Sequence, residues 1–244
     1  MIPAPAPALV TFSEGSPVDV SVGDRDVADL LSPTSLAFEP FRILRAKVRA
    51  FPRANRTGSL GLVGATVGEG VTTTALGLAL AIAQEPGQRV LIVEANLLQP
   101  SIAELLGVPV EPGLGEWLAV GGADPVPIRR LTPWNISLLE AGGSTERSSE
   151  LLGSERMSRL LTAAGQAFDS VLVDCPPLTP WADSVALQEH LDGALLVLRA
   201  RHAKKETIKG ALTHIRPGLL QGVVFNDRTE VLPWLRRTRR SRRR

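Results

Sequence analysis

The chain of 244 residues is 44% hydrophobic and 21% charged, which is typical of one globular domain that buries a sizeable core. No apolar run approaches the roughly 20 residues that a membrane-spanning helix needs. A single cysteine excludes an internal disulfide framework and predicts a reducing, cytoplasmic location.

The N-terminal part of the chain predicts an arm followed by a helix. Residues 1–31 are rich in proline, alanine and small polar residues and lack periodicity, so we expect a flexible arm. A short amphipathic helix is predicted over residues 40–50, because Phe41, Leu44 and Val48 fall on one face.

The middle of the chain alternates short apolar runs with helical stretches. Strands are predicted at residues 59–63, 89–93, 136–139, 170–173, 194–198 and 222–225, and helices near residues 72–84, 149–166, 182–190 and 203–215. The pattern predicts a single α/β domain over residues 32–235, with a mostly parallel sheet flanked by helices.

The stretch GATVGEGVTTTALGLALA, residues 64–81, joins the first of these strands to a helix, which is the context of a phosphate-binding loop. Gly68 and Gly70 permit a turn that points backbone N–H groups inward, beside the positive end of the helix. Thr72 stands where such loops place the hydroxyl that binds Mg²⁺, and Thr73 can contact a phosphate. The alternative is a strand-to-helix turn whose glycines serve packing only.

Two positions depart from the pattern G-x-x-x-x-G-K-[ST]: Ala65 replaces the first glycine and Val71 replaces the lysine. A unit charge pair at 4 Å is worth about 4 kcal/mol at an effective dielectric constant near 20, so this loss weakens nucleotide affinity by up to about a thousandfold. Backbone donors remain and support weak binding. Phosphoryl transfer suffers more, because the lysine neutralises charge that develops on the moving phosphoryl group.

Polar residues follow three further predicted strands. FDSVLVDCPP ends its strand at Asp174, which is placed to hold Mg²⁺ or its water, although a lone strand-terminal aspartate is more often a cap or turn residue. RVLIVEANLLQP carries Glu94 and Asn96 at a second strand tip. GVVFND places Asn226 where an amide could read the edge of adenine.

The order and spacing of these motifs resemble those of the CpsD/CapB-type bacterial tyrosine kinases (BY-kinases), which serve capsule and exopolysaccharide synthesis. BY-kinases are relatives of the MinD/ParA P-loop ATPases. EPFRILR, VGEGVTT, EANLLQP, ELL, FDSVLVDCPP, DGALLVL and GVVFN follow the family motifs in order over about residues 32–227. The resemblance implies a P-loop NTPase fold with ATP and Mg²⁺ as cofactors. It assigns nucleotide contacts to Gly68, Glu69, Gly70, Val71, Thr72, Thr73 and Asn226, and metal ligation to Thr72 and Asp174.

The departures from the family pattern fall at the positions that the family uses for metal binding and catalysis. Glu94 and Asn96 stand for two aspartates that organise Mg²⁺ and activate the acceptor hydroxyl in the family, and Leu98 stands for an arginine. Asn96 cannot act as a base, so Asp174 and Glu94 are the catalytic candidates if the protein is active. The chain contains no tyrosine, which makes self-phosphorylation on tyrosine impossible.

EPFRILR retains Glu39, Arg42 and Arg45 in the E-x-x-R-x-x-R spacing that the family uses for contacts between subunits of a ring. Arg42 and Arg45 share a helix face and can reach one neighbouring carboxylate together, which predicts a homo-oligomer contact. The alternative is a solvated basic face.

The C-terminal residues 236–244, RRTRRSRRR, hold seven of the 27 basic residues and leave a body with 20 basic and 25 acidic residues. Such a block predicts an interaction tail that suits an anionic membrane surface or the acidic body of another subunit. No aromatic residue interleaves the arginines, which disfavours nucleic acid. The alternative is a solubilising terminus.

These features favour a degenerate BY-kinase homologue that regulates or scaffolds capsule or exopolysaccharide biosynthesis. It would lie peripherally at the inner face of the plasma membrane with a membrane-bound chain-length or export protein, its ATP and Mg²⁺ binding weak or lost. One alternative is an active ATP-dependent protein kinase or ATPase whose missing charge comes from elsewhere. The second is a MinD/ParA-like positioning protein.

Overall fold

The computed structural model describes residues 10–51, 58–120 and 124–226. The strands are β1 (Phe12–Glu14), β2 (Val18–Asp19), β3 (Ser59–Gly64), β4 (Val90–Glu94), β5 (Val126–Thr132), β6 (Ile136–Leu139), β7 (Ser170–Asp174), β8 (Gly193–Arg199) and β9 (Leu220–Asn226). The α-helices are α1 (Arg25–Leu30), α2 (Glu39–Arg49), α3 (Val71–Ala83), α4 (Ile102–Leu106), α5 (Leu114–Val120), α6 (Ser148–Leu152), α7 (Glu155–Ala167), α8 (Asp183–Gln188) and α9 (Lys205–Leu212). A 3₁₀ turn at Leu36–Phe38 precedes α2.

The strands form one sheet in the order β1-β5-β6-β4-β7-β3-β8-β9, with β2 also paired to β5. All of these pairs are parallel except β5 with β6. Parallel neighbours need long crossovers, and helices supply them. The predicted fold class, a mostly parallel sheet flanked by helices, is confirmed.

Apolar side chains cover both faces of the sheet. Helix α3 lies between the sheet and α2, so every residue from Thr74 to Ile82 is buried and the helix shows no polar face. Gly77 allows the ring of Phe41 on α2 to lie directly on the α3 backbone, where a Cβ atom would collide with it. This packing fixes the N-terminus of α3 beside the carboxyl ends of β3 and β7.

The six predicted strands are all present, whereas the predicted helix over residues 149–166 is two helices. The break falls at Gly153 and Ser154, and the Ser154 hydroxyl accepts a hydrogen bond from the Met157 backbone N–H at 3.3 Å, which begins α7. Strand β5 was not predicted. Its sequence VPIRRLT contains a proline and two arginines, one of which, Arg129, is buried against Glu140.

The predicted N-terminal arm differs from the structure over residues 10–31, which pack into the domain. Strands β1 and β2 pair with β5, and Val18, Val20 and Val22 pack against the core. Residues 1–9 and the basic tail lie outside the described residues. Within the described ranges, no helix has both the length and the hydrophobicity that a membrane crossing requires.

Candidate functional site

The loop between β3 and α3 has the backbone conformation that its glycines predict. Gly68 and Gly70 both have φ of +84°, in the left-handed region that is costly for residues with a Cβ atom. A Cβ atom on Gly70 would also collide with the side-chain amide of Asn226. The sequence therefore needs glycine here for two reasons, conformation and close approach.

Glu69 fastens this loop from within. Its buried carboxylate accepts hydrogen bonds from the Thr66 hydroxyl at 3.1 Å and from the backbone N–H of Arg199 at 2.5 Å. Its backbone carbonyl accepts from the Asn226 side-chain amide at 3.0 Å. Glu69 and Asn226 therefore make contacts within the chain that shape the loop, and their predicted contact with a nucleotide stays a prediction.

The two predicted metal ligands meet. The Thr72 hydroxyl donates to Asp174 Oδ2 at 2.8 Å and lies 3.3 Å from the Ser101 hydroxyl. Burial, and less strongly the charge of Glu94, raise the pKa of Asp174 to about 7, although the Thr72 hydrogen bond opposes the shift. One carboxylate with hydroxyl oxygens is a donor set that suits Mg²⁺, which usually takes its remaining ligands from water and substrate phosphates.

Glu94 lies on the neighbouring strand and is used differently. Its Oε1 accepts from the backbone N–H groups of Ser101 and Ile102, both at 2.7 Å, and its Oε2 accepts from that of Ala141 at 3.1 Å. The carboxylate thereby holds the start of α4 and the segment after β6. Asn96 accepts from the Gln99 backbone N–H at 3.3 Å, a local turn contact.

Val71 opens α3 at the position of the missing lysine. It is half-buried among the partly buried side chains that pack on the core. One of its methyl carbons is 3.1 Å from where a Cβ atom on Gly64 would lie, so the side chain folds back toward the end of β3. Val71 adds packing to the loop and no polar atom. Thr73 follows it within the first turn of α3.

Comparisons with known proteins agree with this architecture. No protein-family model matches the chain. It is 29% identical over 207 residues to tyrosine-protein kinase YwqD of Bacillus subtilis (strain 168), covering 84% of this chain and 86% of YwqD. The solved structure of the BceF tyrosine kinase domain matches with a TM-score of 0.71 at 30% identity, covering 82% of this chain and 81% of that domain. This chain belongs to the bacterial tyrosine kinase family.

A longer protein also matches. The chain is 27% identical over 201 residues to the succinoglycan biosynthesis transport protein ExoP of Rhizobium meliloti (strain 1021). That match covers 80% of this chain but 25% of ExoP, so the chain spans nearly all of one relative and about a quarter of another.

The helix that was predicted to lie between subunits is present as α2, and its predicted contact residues bind within the chain. Arg42 pairs with Glu39 at 2.9 Å and donates to the Pro33 carbonyl at 2.6 Å. Arg45 donates to the Ala81 carbonyl at 2.7 Å and lies 3.4 Å from a Glu85 carboxylate oxygen. The three residues share one helix, and their role between subunits stays a prediction.

His202, which contacts the loop between β3 and α3, was not predicted from the sequence. His202 Nε2 donates to the Val67 carbonyl at 2.8 Å, and its ring lies against Gly68. Histidine spacing gave no sign of it, because His190, His202 and His214 are not spaced like metal ligands. The signal available in the sequence was its place shortly after the predicted strand at residues 194–198; that this strand, β8, lies next to β3 came from the structure.

Proposed function

We propose that this chain is a BY-kinase homologue with a weakened nucleotide site that regulates or scaffolds capsule or exopolysaccharide biosynthesis. The observation that carries the proposal is a combination at one loop. The Thr72 hydroxyl and Asp174 carboxylate are in contact, as a metal site needs, while Val71 turns an apolar side chain back toward β3. The loop in this proposal keeps its backbone N–H groups for phosphates but lacks the positive charge that a lysine at position 71 would supply.

Nucleotide binding in this proposal depends on backbone groups. The N–H groups of residues 68–73 would hold the phosphates at the N-terminus of α3, a 13-residue helix whose dipole favours anions. Thr72 and Asp174 would hold Mg²⁺, which supplies charge neutralisation when bound. Without a lysine we expect weak affinity and poor phosphoryl transfer.

The proposed location at the membrane rests on the name of one relative and on the basic residues at the C-terminus. ExoP, by its name, is a transport protein of succinoglycan biosynthesis, which supports a polysaccharide chain-length or export protein at the membrane as the partner. The basic tail, residues 236–244, would bind the inner face of the plasma membrane, at about 1 kcal/mol for each basic residue near an anionic surface. Glu39, Arg42 and Arg45 on α2 are proposed for contacts between copies.

The second candidate function is an active ATP-dependent protein kinase. The Thr72–Asp174 contact of 2.8 Å favours it, because it holds the two proposed Mg²⁺ ligands next to each other. In this case another cation must replace the lysine, and the acceptor must be something other than a tyrosine of this chain, which has none.

Titration calorimetry with Mg·ATP on the wild type and Val71→Lys separates the candidates. The weakened site predicts little heat for the wild type and an affinity gain of tenfold to about a thousandfold for the variant. Val110→Lys is the matched control, since it adds the same charge at an exposed valine outside the loop. Micromolar wild-type binding with brisk ATP turnover would instead establish the active enzyme.

The membrane role has its own test. Flotation with vesicles that contain anionic lipid should recover the full chain and lose it when residues 236–244 are removed or salt is raised, because exposed charges are screened. Equal flotation with and without the tail would contradict this part of the proposal.

A further inference from the structure

We propose that residues 199–205, the segment between β8 and α9, form a second wall of the nucleotide site and supply its phosphates with the positive charge that Val71 does not. The inference rests on the proposed function, because it names the cationic group of that same site. The ligand class is a nucleoside polyphosphate.

Hydrogen bonds fasten this segment directly to the phosphate loop. The Arg199 backbone N–H donates to the Glu69 carboxylate at 2.5 Å, and His202 Nε2 donates to the Val67 carbonyl at 2.8 Å. The His202 ring also closes against Gly68, whose added Cβ atom would lie 3.2 Å from it. The segment therefore touches three consecutive loop residues.

Asn226 at the end of β9 completes the connection. The backbone N–H of Ala200 donates to the Asn226 carbonyl at 3.0 Å, and the Asn226 side-chain amide donates to the Glu69 carbonyl, also at 3.0 Å. Movement of residues 199–205 would disturb the loop from two sides. This coupling makes the segment part of the site's framework.

The segment reads RARHAKK, and its arginines and lysines are all exposed. These are Arg199, Arg201, Lys204 and Lys205, and the single acid that follows, Glu206, leaves a net charge of +3 over residues 199–206 with His202 neutral. Arg201 and Lys204 lie within two residues of His202, so their Cα atoms are within about 7 Å of its Cα atom.

The backbone at Arg201 adds a second observation. Its φ of 62° lies in the left-handed region, where glycine is less strained than any residue with a side chain. Residues held in this region cluster at functional sites, which supports a role for Arg201 here.

The order of the strands sets the charges on opposite sides of the loop. The order β4-β7-β3-β8 places Glu94 and Asp174 on one side of β3 and residues 199–205 on the other. A polyphosphate with a divalent cation fits this arrangement, since the cation faces the carboxylates and the phosphates face the basic segment. Because these cations are exposed, their effect is sensitive to salt, unlike that of a lysine inside the loop.

The test compares two double variants that remove the same charge. Arg201→Gln with Lys204→Gln changes the segment, and Lys47→Gln with Arg89→Gln changes exposed cations elsewhere. Arg89 directly precedes β4, at the amino end of that strand, whereas the loop follows the carboxyl end of β3. Lys47 is on α2, where the neighbouring Arg45 binds Ala81 near the C-terminal end of α3, far from the loop. Ligand-observed NMR on the full chain measures the affinity for Mg·ATP, ADP and adenosine at 50 and 300 mM salt. This method detects weak binding.

We expect the segment variant to bind ATP about tenfold more weakly at low salt, ADP less so, and adenosine unchanged, with a reduced salt dependence. The control variant should stay within about twofold of the wild type. If wild type binds ATP and both variants match it, the inference is wrong while the proposed nucleotide site stands. If the wild type binds neither ATP nor ADP, the proposed nucleotide site itself is wrong.

His202 gives an independent readout of the loop contact. His202→Ala removes the donor to Val67 and should weaken ATP binding severalfold, whereas His202→Gln can keep a donor and should restore most of it. Equal affinity for His202→Ala and the wild type would overturn the bracing role, and a thermal melt of each variant checks that the fold is intact.

Discussion

Two carboxylates that lie side by side in the sheet have opposite uses. Glu94 ends β4 and Asp174 ends β7, and the two residues are direct partners in the parallel register. Both are buried. Glu94 accepts three backbone hydrogen bonds, whereas the Asp174 side chain accepts from a hydroxyl group, on Thr72.

The difference shows that burial alone does not identify a binding carboxylate. Backbone N–H groups fill the hydrogen-bonding positions of the Glu94 carboxyl group, so it serves the fold. Asp174 keeps its charge only at a cost, which its raised pKa reports. A bound cation would stabilise the ionised form of a buried carboxylate whose pKa is raised in this way.

The largest expected effect is that of Glu94→Ala on stability. Three buried or partly buried N–H groups would lose their acceptor, and at about 1–3 kcal/mol each we expect a loss near 5 kcal/mol in the free energy of unfolding. Urea denaturation measures it. Glu94→Gln should lose less, because its amide oxygen still accepts. A loss below about 1 kcal/mol for Glu94→Ala would show that the carboxylate is not structural.

The next effect is the pH dependence that Asp174 imposes. The pKa is about 7 in the folded state against a usual 3.8, so between pH 4 and 7 the unfolded chain releases a proton that the folded chain retains. Folding stability therefore falls as pH rises through that window and levels off above it. Asp174→Asn lacks this penalty, so its stability relative to the wild type should rise by about 3 kcal/mol from pH 5 to pH 8.

Denaturant titrations at both pH values, without divalent cations, give this difference. Added Mg²⁺ should then stabilise the wild type and leave Asp174→Asn unchanged, because the variant has lost the proposed ligand. A pH-independent difference between the two proteins would contradict the assignment of a raised pKa to Asp174.

The smallest effect concerns the loop. Gly70→Ala should cost about 1–2 kcal/mol through the left-handed conformation, and should also displace Asn226 and weaken ATP binding. Gly87→Ala is the matched control. Gly87 has φ of +80° with open space around its Cβ position, so we expect similar strain and unchanged binding. Equal binding by both variants would show that Asn226 does not shape the loop.

Much of the fold was predictable because buried parallel strands read as continuous apolar runs. The strands from β3 to β9 were predicted apart from β5, which contains Pro127 and the buried Arg129. Arg129 reads as an exposed residue until Glu140, eleven positions away, is known to pair with it. The pattern VDVSV at residues 18–22 carried an alternating strand signal, but the proline- and alanine-rich composition around it favoured an arm.

The sequence by itself determined the nucleotide-type loop, the residue that replaces its lysine, the absence of tyrosine and the family motifs. These are properties of residue type and local spacing, which a single chain carries in full. Tertiary structure alone decided that Glu94 is occupied by backbone donors, that Asp174 and Thr72 touch, and that His202 braces the loop. Such contacts join positions as many as 135 residues apart, and only packing of the sheet brings them within hydrogen-bond distance.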